Sequence, residues 1–236
     1  MIKYSIVIPT TSDRVNKLQR ALKSLFIQSF PSWEAIVVVT DGGTIGLNDS
    51  LLLHPNLNII STGYKSERVI GRNLGMRKAT GEWICWLDSD DEYMSCYLEK
   101  LEFAMALQQG DCYNFSSIVF WKDGKSTIRQ VFKPQELGSD TFIGREFESG
   151  RISTGSFVFR RSLLNEVGYL PESTIPYGTP DSFSANCNNP NYPPSKEGIW
   201  PPLGNPWGDD FQMFYQITRR YDSVPLDLAL YVQHIR

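Results

Sequence analysis

The apolar run Trp83-Ile84-Cys85-Trp86-Leu87 passes without a break into Asp88-Ser89-Asp90-Asp91-Glu92, and this junction constrains the fold more than any other stretch. A continuous run from Glu82 to Leu87 predicts a strand buried on both faces. The acids then fall at its carboxyl end, where open α/β sheets bind ligands. Carboxylates this crowded raise one another's pKa unless cations face them. A hard, oxygen-seeking ion such as Mg²⁺ or Mn²⁺ suits such a cluster. The same acids also make good turn formers and N-caps for a helix beginning near Met94, and the segment by itself leaves both roles open.

The flanking sequence predicts the surroundings of that strand. Tyr4 to Ile8 is a short β-branched run stopped by Pro9, and Val15 to Gln28 carries Leu18, Ala21, Leu22, Leu25 and Phe26 at helical spacing. Trp33 to Val39 forms a second continuous strand and ends in the turn Thr40-Asp41-Gly42-Gly43, while Leu57 to Ile60 gives a third. Arg68 to Ala79 has helical character despite Gly71 and Gly75. Strands alternating with helices predict a mostly parallel sheet covered on both faces. Past the acids, Tyr97 to Leu107 supplies one apolar helical face closed by Gly110. Cys112–Trp121 and Ser126–Phe132 then flank Asp123-Gly124, a hairpin signal, so the second half adds antiparallel strands. Ser156 to Phe159 predicts another strand, followed by a short helix through Leu163, Leu164 and Val167 that Gly168 closes. Residues 169–206 hold most of the 14 prolines and no periodicity, and a connection that long is functional or disordered. A helix, Asp209 to Arg220, and a strand, Val224 to Gln233, finish the chain.

Charge narrows the partners. With 23 basic and 26 acidic residues and a net charge of −3, there is no electrostatic footprint for nucleic acid. The four cysteines Cys85, Cys96, Cys112 and Cys187 show no CxxC spacing, which fits a reducing compartment. No stretch reaches the length of a membrane span and the first residues lack a signal-peptide core, so a cytoplasmic protein is expected, with peripheral contact at the inner face of a membrane left open.

Ser5-Ile6-Val7-Ile8-Pro9-Thr10, Gln28 to Glu34, Asp41-Gly42-Gly43, Gly71-Arg72-Asn73-Leu74-Gly75, Ala79-Thr80-Gly81-Glu82 and Leu87-Asp88-Ser89-Asp90-Asp91 follow in an order that resembles a family-two glycosyltransferase of the GT-A fold. The second half matches more thinly, at Thr154 to Arg161, Asp209-Asp210-Phe211 and His234. The resemblance implies one domain over residues 1–236, with a nucleotide-sugar half at 1–110 and an acceptor half at 111–236 that includes the insertion 169–206.

It also implies roles. Pro9 and Thr10 would border the nucleotide pocket, and Asp41 would hydrogen-bond the base or ribose, although Thr40 stands where the family usually has an acid. Arg72 would contact a phosphate or the base, and its neighbour Asn73 would fix local structure. Asp88, Ser89 and Asp90 match the D-x-D motif, in which Asp90 would ligate a divalent cation, Mn²⁺ or Mg²⁺, and Asp88 the ribose or the ion. His234 would complete the metal shell. Asp210, opening a late helix beside Asp209, would be the base that deprotonates the acceptor hydroxyl; the usual first member of this pair is Glu. Trp200 and Trp207, in an aromatic and proline-rich stretch, suit an acceptor-binding lid, or simply pin the insertion to the domain.

The expected reaction is inverting transfer of a sugar from a nucleoside diphosphate, UDP rather than GDP, to a hydroxyl of a carbohydrate or lipid-linked glycan, as in polysaccharide biosynthesis. Two other functions compete with it. A non-catalytic carbohydrate- or nucleotide-binding relative is favoured if Thr40 and Asp209 are losses. A sugar nucleotidyltransferase is disfavoured by the missing Gly-rich, basic loop after the first strand.

Overall fold

The computed structural model describes residues 2–121, 123–129, 154–170, 213–214, 217–218 and 220–234. Its centre is a nine-stranded sheet. The first three strands are β1 (Tyr4–Thr10), β2 (Trp33–Val39) and β3 (Leu57–Ser61), joined by β4 (Trp83–Trp86) after the helix α3 (Arg68–Lys78). They lie in the order β3-β2-β1-β4, all parallel. Their continuous apolar sequences follow from burial on both faces. Ile6, Ile8, Val37 and Cys85 face α1 (Val15–Phe26), through its Leu18, Leu22 and Leu25. Val7, Ile36, Val38, Ile84 and Trp86 face the other way, toward Met76 of α3.

The expected stop at Pro9 does not occur: β1 runs on to Thr10, pairing Pro9 with Val38. Alternation explains the difference. Val7 turns its carbonyl to the β4 side, where it accepts from Leu87, and Thr10 turns its carbonyl to the β2 side, where it accepts from Thr40. The missing N–H of Pro9 therefore falls on the β4 side, and β4 has already ended opposite Val7. No ladder bond is lost.

Glycines bring α3 down onto the sheet. A Cβ on Gly71 would meet Thr40 Cγ2 at 2.5 Å, and one on Gly75 would collide with Val7 Cγ1. This close approach is why a helix with two glycines, each costing about 1 kcal/mol against Ala, is kept at this place. The Asn73 side chain then clasps Leu170, donating to its carbonyl at 2.7 Å and accepting from its N–H at 3.0 Å.

Beyond β4 the sheet continues with β8 (Phe157–Arg160), antiparallel to β4, then β6 (Cys112–Phe120), and then β9 (Ser223–His234). The antiparallel pairings expected of the second half are present in β4 with β8 and β8 with β6, while β9 runs parallel to β6. The strand β7 (Ser126–Arg129) forms the predicted hairpin with β6 around Gly124 at φ +80. A two-residue strand, β5 (Glu92–Tyr93), pairs with Tyr231 and Val232 at the far edge, and α4 (Tyr97–Leu107) follows with Cys96 at its N-cap. The acids are therefore not caps of that helix. A short helix α2 (Asp49–Leu52), capped by the Asn48 side chain, is a further element that the hydrophobic pattern did not predict. Cys85, Cys96 and Cys112 are free thiols. Among the described residues no helix is long and apolar enough to cross a membrane.

Candidate active site

Parallel β1, β2 and β4 end side by side, so the loops after Thr10, Val39 and Trp86 share one edge of the sheet. In the first loop a 3-10 turn, Ser12–Arg14, leads into α1. In the second, Asp41 accepts from the Ser12 N–H at 2.9 Å and its hydroxyl at 2.6 Å through one oxygen, and from the Gly43 N–H at 3.1 Å through the other. The Ser12 hydroxyl and N–H, followed by the Gly43 N–H, hold its carboxyl below the usual range. Asp41 is thus a turn former here, and a carboxylate oxygen keeps lone pairs for a further donor. Thr40 locks the same strand ends together by donating its hydroxyl to the Thr10 carbonyl at 3.0 Å. Its methyl packs where Gly71 passes, which leaves little room for a larger acid.

The third loop carries the acids. A turn closes when the Asp91 N–H donates to the Asp88 carbonyl at 3.0 Å, and it sends the three carboxylates in three directions. Asp88 turns toward α3, where Arg72 Nη2 donates to its Oδ1 at 2.9 Å. The Arg72 side chain is 0% exposed and its guanidinium lies 4.4 Å over the Trp86 ring, while Asp88 is 20% exposed. Arg72 therefore sits beneath Asp88, and Asp88 presents the outer surface. Ser89 is buried, with a hydroxyl that finds no hydrogen-bond partner among the described residues.

Asp90 turns toward α1. Its Oδ2 lies 3.6 Å from Arg14 Nη1 and 3.7 Å from Lys17 Nζ, and Arg20 donates to its backbone carbonyl. Arg20 also pairs with Glu92 at 3.1 Å. Asp91 turns inward, accepting from the Tyr231 hydroxyl and from the His234 N–H at 2.9 Å. Burial pushes its carboxyl up to about 7, against the pull of those two donors. The His234 imidazole meets Glu92 at 2.8 Å and stacks on Phe120 at 5.7 Å.

The structure thus brings Pro9, Thr10, Asp41, Arg72, Asp88, Ser89 and Asp90 to one edge, and it directs the His234 ring to Glu92. Asp209, Asp210, Trp200 and Trp207 lie outside the described residues. Among the described residues no three His, Cys, Asp or Glu side chains converge as a ready metal cage. Asp88 and Asp90 nevertheless offer partly exposed carboxylate oxygens, and Mg²⁺-like ions bind through one or two carboxylates completed by substrate phosphates. The residues present fit such an ion. The basic stripe Arg14, Lys17, Arg20 was missed by a search for apolar periodicity. Its signal is equally plain: cations at i, i+3 and i+6, from the residue that caps α1 into the helix, in a row beside its buried leucines.

A family profile described as Glycosyl transferase family 2 matches residues 5–168. The putative teichuronic acid biosynthesis glycosyltransferase TuaG of Bacillus subtilis is 26% identical over 192 residues, covering 74% of each chain. A GalNAc(5)-diNAcBac-PP-undecaprenol beta-1,3-glucosyltransferase of Campylobacter jejuni is 28% identical over 190 residues, covering 74% of this chain and 59% of its own. Among solved structures, S. aureus TarS 1-349 in complex with UDP-GlcNAc superimposes with a TM-score of 0.61 at 17% identity, over 100% of this chain and 59% of that one. At that identity the likeness establishes the fold, which is GT-A, with its parallel sheet and added antiparallel strands. Against the Campylobacter enzyme and TarS, the chain spans less than two thirds of the relative's length.

Proposed function

This chain belongs to glycosyl transferase family 2, and on that premise we propose that it transfers a sugar from a nucleoside diphosphate, a UDP-sugar in preference to a GDP-sugar, to a hydroxyl of a glycan or lipid-linked acceptor with inversion. The observation that carries this proposal is the Asp88–Asp90 turn at the carboxyl end of β4, with Asp88 held from beneath by the buried Arg72. The fixed turn at Asp41 forms the opposite wall and suits the base and ribose. Pro9 and Thr10 line the edge between them.

In this scheme Asp90, with Asp88, would hold a divalent ion, Mn²⁺ or Mg²⁺. When bound, the ion supplies neutralisation of the charge that grows on the leaving diphosphate. The protein's own residues do the rest. Arg72 acts as a positioning residue, since it fixes one oxygen of the partly exposed Asp88 carboxylate, which would face the ribose or the ion. Asp41 orients the nucleoside through an oxygen already aligned by Ser12. Asp210 takes the proton of the acceptor hydroxyl as that oxygen attacks from the face opposite the leaving group, with Asp209 beside it. Trp200 and Trp207 offer ring faces to the acceptor. The name of the Campylobacter relative, which carries an undecaprenol-linked glycan, supports a lipid-linked acceptor and therefore work at the inner face of a membrane.

Calorimetry of UDP and GDP binding, each with and without Mn²⁺, tests the donor assignment. UDP should bind more tightly with Mn²⁺ than without it, and Asp90→Asn should remove that gain. If neither nucleotide shows metal-dependent binding, the non-catalytic alternative is favoured.

A further inference from the structure

Asp90 differs from its neighbours in how it is countered. Its Oδ2 has two cations at 3.6 and 3.7 Å, beyond hydrogen-bonding distance. Arg14, Lys17 and Asp90 are 42%, 27% and 25% exposed. Pairs of this kind are weak and exchange readily with solvent ions. Both cations are nevertheless delivered to the loop by fixed structure. Ser12, two residues before Arg14, is tied to Asp41 by two hydrogen bonds, and Lys17 follows one turn later on the same helical face. Arg20, the third member of the stripe, serves another purpose. It holds the Asp90 carbonyl and Glu92, so it fastens the loop and leaves the Asp90 carboxylate to the other two.

We propose that Arg14 and Lys17 are built-in counter-ions of Asp90, which occupy its carboxylate while no divalent ion is bound and turn to the donor's diphosphate when the ion enters with it. This rests on the donor-site assignment above. A divalent ion and an arginine or lysine compete for the same carboxylate oxygen, so an ion arriving alone must displace two cations that then face only water. An ion arriving with a diphosphate displaces them onto phosphate oxygens, where arginine and lysine are good partners. Ion and nucleotide therefore bind cooperatively, and by linkage each raises the other's affinity by the same factor. The exchange is one of ion pairs only; no covalent bond or proton moves.

The test is calorimetry on the full chain with Mn²⁺ alone, with UDP plus Mn²⁺, and with uridine, comparing wild type with Arg14→Ala/Lys17→Ala. The variant should bind Mn²⁺ alone more tightly and UDP with Mn²⁺ more weakly, each by roughly tenfold for two partly exposed pairs, with uridine affinity unchanged. Charge-conserving Arg14→Lys/Lys17→Arg should restore wild-type values. Unchanged or weaker affinity for Mn²⁺ alone in the alanine variant would overturn the proposal. A protein that binds Mn²⁺ as described but no UDP would instead overturn the donor assignment. Should the double variant not fold, the single Lys17→Gln variant carries the same measurements.

Discussion

The acidic turn has two unlike flanks. On the α3 side one arginine, fully buried and stacked on Trp86, grips one oxygen of Asp88 at 2.9 Å. On the α1 side two partly exposed cations, Arg14 and Lys17, stand 3.6 and 3.7 Å from Asp90. The difference teaches what burial does to an ion pair. A desolvated guanidinium cannot leave its carboxylate without stranding a charge, so it fixes position. A pair in contact with water is nearly neutral in energy, so it tunes charge and can be exchanged.

The largest effect that can break this contrast is expected at Arg72. Replacing it with Met keeps much of the volume but strands Asp88, and should cost about 3 kcal/mol, since loss of one partner of a buried pair is strongly destabilising. Urea unfolding measures it, and a variant as stable as wild type would show that the buried flank is no tighter than the exposed one.

Asp91, packed behind the turn, sharpens the contrast through pH. Its folded pKa of about 7 lies above the ordinary 3.8 because burial penalises the charged form. Between those values the folded chain keeps a proton that the unfolded chain has released, so this group's stabilisation is full below about pH 4 and is lost as pH rises through about 7. Asp91→Asn cannot titrate, and its melting temperature should fall less than that of wild type between pH 4 and 8. Parallel profiles would reject the assignment. The smallest change belongs to the exposed flank: Lys17→Ala, which removes a pair at 3.7 Å, should cost under about 1 kcal/mol, shrinking further in high salt. A larger, salt-insensitive loss would erase the distinction between the flanks.

Much of the frame was legible because burial on both faces writes itself as unbroken apolar runs: the stretches Tyr4 to Ile8, Trp33 to Val39 and Glu82 to Leu87 mark the parallel strands β1, β2 and β4, the last formed by Trp83–Trp86. The acids at the end of β4 were legible for the same reason, since topology alone places a strand's carboxyl end at the ligand edge. Who faces whom was not. Arg72 and Asp88 each stood out as candidates, but nothing in their spacing says that they pair with one another. That pairing follows from how closely Gly71 and Gly75 let α3 approach the sheet. Pro9 misled because the rule against proline in strands concerns a particular missing bond, and only the register shows that the bond was never needed. The two-residue β5 and the parallel course of β9 depend on contacts between residues far apart in sequence, as does the meeting of His234 with Glu92.

The hydrogen bond from Tyr231 to Asp91 joins residues 140 apart, which has a consequence for synthesis. Chains emerge from the ribosome amino end first and fold in that order, so β1 to β4 can assemble long before the residue that satisfies Asp91 exists. During that interval the nascent chain carries an apolar sheet edge and a half-anchored acidic turn. The strand β9 acts as a latch, and chains released before it is made are expected to be the ones that chaperones and proteases find first.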